Sequence, residues 1–232
     1  MNSGGIAIEE VLFRRLPDAV TNLGWSRHGE LAILLADGSV LLTQDDVILG
    51  TSEISDAIAL AWEPSGEHLA VVDHDGEIAL WSRGRGWRPL ASLPGFGTRL
   101  TWSTNGRLAA SAGTRVLVYD FAGGNVGEPP TVLAELPAII TDLAWRGPDH
   151  LCVATLLGTW ALDCHDGDRA MVSEQGVASL SLSVAANGAL GIGQAAGRLI
   201  VRWSATEGRH LDGYAAPLWH VAWSDEAGMC SQ

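Results

Sequence analysis

One acidic loop of the sequence carries side chains that could bind a metal ion. The segment DCHDGD, residues 163–168, places three carboxylates beside Cys164 and His165. Oxygen ligands at alternating positions can hold Ca²⁺, but the spacing is not that of an EF-hand loop and no Glu occupies the twelfth position. A solvated acidic turn is the simpler interpretation, and we predict no metal site and no bound cofactor.

A second loop combines arginines with an aromatic ring. The segment RGRGWR, residues 83–88, sets three Arg side chains beside Trp87. Guanidinium groups are suited to phosphate and carboxylate recognition. Because the chain as a whole is acidic, an ordinary exposed loop is the simpler interpretation here too.

The sequence contains no recognisable catalytic motif. GWSRHG, residues 24–29, is not a G-x-S-x-G elbow and sits at a hairpin instead of a strand-to-helix turn. The seven His residues form neither H-x-x-x-H nor H-E-x-x-H. We therefore predict that the protein is not an enzyme.

Composition narrows the classes of partner. The net charge is −13, from 27 acidic and 14 basic residues, which disfavours binding to nucleic acid or to an anionic membrane. It suits a soluble protein or one with a basic partner. There is no apolar run of 18 residues, no signal peptide and no C-x-x-C pair among the three Cys residues. These features predict a cytoplasmic protein with free thiols.

The sequence is repetitive. LAWEPSGEHLAVVDHDGEIALWS, residues 60–82, recurs as TNLGWSRHGELAILLADGSVLLT from residue 21, and again further along the chain. One position, called the anchor, is held by Trp25, Trp62, Trp102, Trp145, Leu182 and Trp223. Successive anchors are 37, 40, 43, 37 and 41 residues apart. A period of about 40 residues indicates a repeat architecture.

Each repeat reads as four short strands. Ile58, Leu60 and Trp62 alternate with period two, and a turn at Gly66 follows. A second apolar run ends at Asp75-Gly76, a third ends near Trp81, and a weaker fourth run precedes the next anchor. No helical stripe accompanies them. Four antiparallel strands in about 40 residues are typical of a β-propeller blade.

The repeats resemble those of WD40 proteins over nearly the whole chain. In the unit from residue 60, the family positions are matched by Trp62, Pro64, Gly66, Asp75-Gly76 and Trp81. The Gly-His pair that usually opens a WD40 repeat is missing from every unit. The closing Trp is kept only at Trp81 and Trp203, with Tyr119 as a weaker substitute.

These departures mean that the family's buried Asp–His–Ser/Thr–Trp network is incomplete in every blade. Blade stability must then depend mainly on apolar packing between sheets. We therefore predict that Trp62, Trp102 and Trp145 are buried between blades and have no functional role.

The predicted fold is all-β, a WD40-like propeller with about five complete four-stranded blades, a partial sixth and an incomplete ring. The chain forms one domain, with blades at approximately 20–57, 58–97, 98–139, 140–176 and 177–217 and a partial blade at 218–232. The resemblance also implies that residues 5–16 supply an outer closing strand.

The predicted sixth blade ends as its second strand should begin. Truncation relative to a longer ancestor is the favoured interpretation, and a two-stranded sixth blade or completion by another chain are the alternatives. Unpaired strand edges predict that the protein self-associates.

The resemblance implies a scaffold that binds a protein or peptide across the top rim, formed by the loops between the fourth and first strands and between the second and third. Exposed aromatics and polar turns there are the candidate contacts: Phe96, His74, Asp75, Tyr214 and Trp219. The alternative is that each aromatic ring packs between neighbouring blades.

Two other functions stay open at this point. One is a propeller enzyme, or a sensor of small molecules or metals, that uses polar side chains converging on the central channel. It would require His, Asp or Arg side chains with displaced pKa values at the channel mouth. The other is a truncated propeller fragment without function.

Overall fold

The computed structural model describes residues 15–45, 47–51, 54–122, 125–126, 130–204, 207–224 and 228–231. Within these ranges the regular secondary structure is entirely β, arranged as successive antiparallel sheets. In the part of the chain that is described, no helix is long and apolar enough to cross a membrane. The predicted strand 5–16 lies largely outside the described residues.

Each sheet is one blade, numbered along the chain. Blade one contains β1 (Val20–Trp25), β2 (Leu31–Leu35), β3 (Val40–Gln44) and β4 (Val47–Thr51). Blade two contains β5 (Ala57–Trp62), β6 (His68–Asp73), β7 (Glu77–Ser82) and β8 (Gly86–Ser92). Blade three contains β9 (Gly97–Trp102), β10 (Arg107–Ala112), β11 (Arg115–Ala122), the two-residue β12 (Asn125–Val126) and β13 (Thr131–Glu135).

The later blades follow the same plan. Blade four contains β14 (Ile140–Trp145), β15 (His150–Thr155), β16 (Gly158–Asp163) and β17 (Arg169–Met171). Blade five contains β18 (Ser179–Val184), β19 (Leu190–Gln194), β20 (Leu199–Arg202) and β21 (Gly208–Leu211). Blade six contains β22 (Val221–Ser224) and β23 (Gly228–Ser231).

The anchor tryptophans join each blade to the one before it. The indole Nε1 of Trp62 donates a hydrogen bond of 2.9 Å to the carbonyl of Gly24, directly before the anchor of blade one. Trp102 donates to Ala61 at 3.0 Å and Trp145 to Thr101 at 3.1 Å, each again one residue before the preceding anchor. One side chain thus supplies apolar contact and a directed hydrogen bond between consecutive sheets.

The register corrects the predicted anchor of blade five. In blades one to four the anchor pairs with a leucine of the second strand, as Trp145 pairs with Leu151. In blade five the residue in that position is Val184, opposite Leu190, and not Leu182. Trp223 confirms this, because its Nε1 donates to the carbonyl of Ser183 at 3.0 Å. The alternating apolar residues of β18 made the prediction two residues early.

The cores lie between blades instead of within them. The largest cluster joins one face of blade two to one face of blade three and includes Leu80, Leu100, Leu108 and Tyr119, all buried. Equivalent clusters fill the spaces between the remaining pairs of neighbouring blades, that is, one and two, three and four, four and five, and five and six. Small side chains such as Ala110 let the sheets approach closely. Trp102 and Trp145 are 7% and 9% exposed, which confirms their predicted burial between blades, whereas Trp62 is only partly buried.

An ion pair reinforces the contact between blades one and two. Glu30 is buried, accepts a hydrogen bond from the Ser26 hydroxyl and pairs with the Arg83 guanidinium. Arg83 also approaches Glu67 at 3.7 Å. Because a buried carboxylate requires a partner, this contact gives one arginine of the 83–88 loop a structural role.

The sixth blade is a hairpin. Strand β22 pairs with β23: Val221 lies opposite Ser231 at one end of the hairpin, and Ser224 lies opposite Gly228 at the other. The prediction that the chain stops before a second strand was therefore wrong. Short residues around the turn, including Gly228, hid this strand from an apolar pattern. Among the described residues no strand pairing joins blade six to blade one, which is consistent with the incomplete ring predicted.

Blade one has no described blade before it in the chain, and its anchor differs from the later ones. Its anchor, Trp25, is 64% exposed, and no hydrogen bond of its indole occurs among the described residues. The anchor tryptophans of blades three and four are therefore buried between blades, whereas the anchor tryptophan of blade one is exposed.

We predict that the same substitution lowers the free energy of unfolding much more at a buried anchor than at the exposed anchor of blade one. Trp102→Ala opens a cavity between blades and should lower the free energy of unfolding by roughly 3–5 kcal/mol. Trp102→Phe should lose less, chiefly the hydrogen bond to Ala61, or about 1 kcal/mol. Trp25→Ala should change the stability by about 0.5 kcal/mol or less. Urea denaturation measures all three, and equal midpoints for the two alanine variants would contradict the packing described.

Candidate functional site

The antiparallel order of the strands divides the loops into two rims. Loops between the fourth and first strands, and between the second and third, lie at one end of the sheets and form the top rim. Loops between the first and second strands, and between the third and fourth, form the bottom rim. The two rims can be compared because they carry similar numbers of loops.

Exposed apolar side chains are distributed unequally between the rims. The top-rim loops expose six large hydrophobic residues: Phe96, Ile139, Leu156, Leu157, Tyr214 and Trp219. In the described loops of the bottom rim the corresponding residue is Trp203. Apolar side chains clustered on one face of a molecule mark interaction surfaces, whereas single ones need no explanation.

The structure brings three of the predicted site residues together. The Phe96 ring packs edge-on against the His74 imidazole, with centroids 5.1 Å apart, and Asp75 follows His74 in the turn after β6. Phe96 remains 63% exposed. The alternative that it packs between blades therefore does not describe its position.

A pocket of about 520 Å³ adjoins this cluster at the junction of blades one and two. Four carboxylates line it, at Asp37, Asp56, Asp73 and Asp75, together with the imidazole of His74. The hydroxyl and backbone N–H of Ser39 hold the pKa of Asp37 below its usual value. Among the described residues that line the pocket there is no Lys or Arg, so it presents mainly negative charge beside an exposed ring.

The other two predicted residues lie elsewhere on the same rim. Tyr214 and Trp219 belong to the loop between β21 and β22, and both are exposed. The structure therefore places the five predicted residues on one rim, in two groups separated by the intervening blades.

Aliphatic residues of the rim were missed in the sequence. Ile139 precedes β14, and Leu156 and Leu157 form the turn between β15 and β16. The N–H of Leu156 donates to the Ile139 carbonyl at 3.2 Å, so the two loops are in contact. A turn made of two leucines, where polar residues are usual, was the signal that could have revealed them.

Backbone contacts hold the top-rim loops in place. The N–H of Gly113 donates to the Phe96 carbonyl, and the N–H of Ile140 donates to the Gly113 carbonyl. Gly76 has φ of 90° and lies so close to Gly95 that an added Cβ would be 2.4 Å from its carbonyl oxygen. The exposed side chains are thus presented by a fixed backbone.

The acidic loop 163–168 is occupied with contacts of its own. His150 Nε2 lies 3.3 Å from Asp163, and His165 Nε2 lies 3.5 Å from Asp149. Burial raises the pKa of the Cys164 thiol to about 11. In the described ranges no three His, Cys, Asp or Glu side chains gather in a way that could hold a metal ion.

Ionisable residues also occur on or directly before the inner strands. Arg99, Asp142 and His220 each lie three residues before an anchor, and Arg99 Nε approaches Asp142 Oδ1 at 3.9 Å. The other Asp142 oxygen accepts the N–H of Leu182 in the next blade at 2.7 Å. Burial raises the pKa of Asp142, while that N–H, Arg99, the N–H of Leu143 and His220 partly offset the rise. This carboxylate joins two blades, which accounts for its position without a ligand.

The sequence matches no protein-family model and no curated protein. Among solved structures, the chain is similar to the β-propeller domain of Cps50 (Swd1) from Myceliophteria thermophila. The TM-score is 0.66 at 15% sequence identity, over 85% of this chain and 75% of that one. The likeness concerns the fold alone, and at that level it confirms the WD40-like propeller predicted from the repeats.

The raised pKa of Asp142 gives a prediction with a definite sign. In the folded state this carboxyl holds its proton at pH values where the unfolded chain has lost it. The stability of the wild type should therefore fall, relative to Asp142→Asn, as the pH rises from the usual Asp value through the raised one.

We expect the stability of Asp142→Asn relative to the wild type to increase as the pH rises above about 4, the usual Asp value. Urea midpoints at several pH values measure the difference. Asp37→Asn is the control, because its lowered pKa predicts the opposite sign. A pH-independent difference for Asp142→Asn would contradict the assignment.

Proposed function

We propose that this chain is a non-catalytic interaction module that binds a protein or peptide partner across its top rim. The observation that carries the proposal is the unequal distribution of exposed apolar residues, with six in the top-rim loops and Trp203 in the described loops opposite. Loops on a rigid sheet scaffold are suited to recognition because the scaffold removes most of the ordering cost of binding.

Charge favours a basic partner. The four carboxylates of the pocket beside Phe96 belong to a chain with net charge −13. A Lys or Arg side chain of the partner would enter that pocket while neighbouring apolar side chains cover Phe96. We therefore infer that the preferred segment alternates basic and apolar residues.

The contacts of the polar residues favour binding over catalysis. In the described part of the chain, one pair has the spacing of a nucleophile and base: His68 Nδ1 lies 2.9 Å from the Ser82 hydroxyl. These two residues are a cross-strand pair, and Ser82 is buried, so a substrate cannot approach its oxygen. Asp142 and Arg83 are engaged in contacts between blades, as described above.

The test is a selection of peptides on the purified protein. A display library of random peptides, panned on the immobilised chain, should yield segments enriched in Lys or Arg beside apolar residues. Fluorescence anisotropy with one selected peptide then measures affinity. Phe96→Ser and Leu157→Ser should each weaken binding by about tenfold or more, as expected for central contacts. Higher salt should weaken it as well.

Trp203→Ser is the matched control, since it removes an exposed apolar residue from the bottom rim. It should leave the affinity unchanged, and thermal midpoints should be the same for all three variants. Peptides whose binding depends on Trp203 and not on Phe96 or Leu157 would refute the assignment of the rim.

A further inference from the structure

The packed spaces between neighbouring blades, called seams from here on, repeat one contact near the top rim. In the first three seams, an apolar residue near the start of the third strand shares a cluster with an apolar residue of the next blade: Val40 with Ala57, Ile78 with Ala112, and Val116 with Ile140. All six are buried. Apolar packing is therefore the usual contact at this level of the propeller.

The seam between blades four and five differs from the first three. Thr159 holds the third-strand position of blade four, where it pairs with Ala154. The corresponding residues of blade five are Ser179 and Gln194, which pair with each other. All three polar side chains are fully buried, at 0% exposure. A polar set thus takes the place of the apolar contact found in the earlier seams.

The register directs these side chains toward one another. Ala154 belongs to the cluster between blades four and five, and directly paired residues lie on the same face, so Thr159 faces blade five. Ile192 belongs to the same cluster, and alternate residues of a strand share a face, so Gln194 faces blade four. Ser179 faces the same way because it pairs with Gln194.

Direct contacts hold the two blades together around this set. The Thr141 hydroxyl of blade four donates to the Ser179 carbonyl of blade five. Arg198, in the turn after β19, donates to the Glu174 carboxylate of the loop after β17 at 2.9 Å. The spacing of the blades is therefore fixed by the protein's own contacts where the polar side chains face each other.

The polar atoms of the set lack partners within the protein. The hydroxyls of Thr159 and Ser179 and both amide atoms of Gln194 are buried, and among the described residues none of these atoms has a hydrogen-bond partner. Leaving a buried donor or acceptor without a partner is costly, so such atoms are normally bonded to protein or to ordered water. Four of them in one seam indicate a molecule that bridges the blades.

We propose that Thr159, Ser179 and Gln194 form an internal water-binding site that bridges blades four and five. The ligand must both donate and accept hydrogen bonds, because the hydroxyls do both and the amide offers N–H and C=O groups. It must also be neutral, since the charged side chains beside the site, Arg198 and Glu174, pair with each other. Water meets both requirements, and a buried water makes about three hydrogen bonds.

Nuclear magnetic resonance on the full ¹⁵N-labelled chain tests the site directly. The side-chain NH₂ group of Gln194 should show a nuclear Overhauser contact with water, with the sign that marks a long-lived bound molecule. Its signal is identified by its loss in Gln194→Met. A Gln194 amide signal without that contact would overturn the proposal.

Thr159→Val tests whether the residues share the water. It keeps the shape of the side chain and removes the hydroxyl, so it should lower the urea midpoint if the hydroxyl is bonded to water and raise it if the hydroxyl is unpaired. In the Gln194→Met background, where the water has already lost a partner, Thr159→Val should lower the midpoint by about half as much or less. A raised midpoint, or equal effects in the two backgrounds, would refute the shared site.

Thr155→Val is the matched control within the same blade. Thr155 is also fully buried, but its hydroxyl donates to the Gly158 carbonyl at 2.8 Å. It pairs with Ile140 of the cluster between blades three and four, so it faces the opposite seam. Thr155→Val should therefore lower the urea midpoint equally with and without Gln194→Met. Coupling as strong as that of Thr159→Val would show that Gln194→Met loosens the whole blade, and the shared water would be the wrong explanation.

Discussion

The hydrogen bond from an anchor indole to the backbone of the preceding blade is the contact on which the architecture depends. It occurs at Trp62, Trp102, Trp145 and Trp223, always to the residue directly before the earlier anchor. The ring carbons fill the space between sheets while the Nε1 sets the register of one sheet against the next. A blade can thus be stable without the buried polar network of WD40 repeats, because its neighbour supplies the missing contacts.

The sequence was sufficient to predict this architecture, because a tryptophan recurring every 40 residues with glycine turns between short apolar runs leaves few alternatives. The prediction from sequence was wrong at the one anchor position that does not hold a tryptophan. Val184 holds the anchor position of blade five without an indole, and an alternating strand offered Leu182 as an equally good candidate. Strand β23 was missed for another reason: its four residues, Gly228–Ser231, are too few to show an alternating pattern, and only pairing with β22 identifies it.

The candidate site was predictable in part. Aromatic residues in loops are conspicuous, and Phe96, Tyr214 and Trp219 all lie exposed on the top rim. Leu156 and Leu157 escaped notice because leucines beside a strand read as part of that strand in a sequence. The pocket of carboxylates could not be foreseen either. It joins turns at residues 37, 56 and 73–75, and only the packing of blade two on blade one brings Asp37 close to Asp75.

The acidic charge and the exposed rings act together at the top rim. Phe96 lies beside the carboxylates that line the neighbouring pocket, so screening by salt weakens the attraction of this surface for a basic partner while leaving its apolar contacts in place. The anchor of blade one stands apart from this surface, because Trp25 belongs to an inner strand and not to a top-rim loop. Its ring lacks the close packing that buries Trp102 and Trp145.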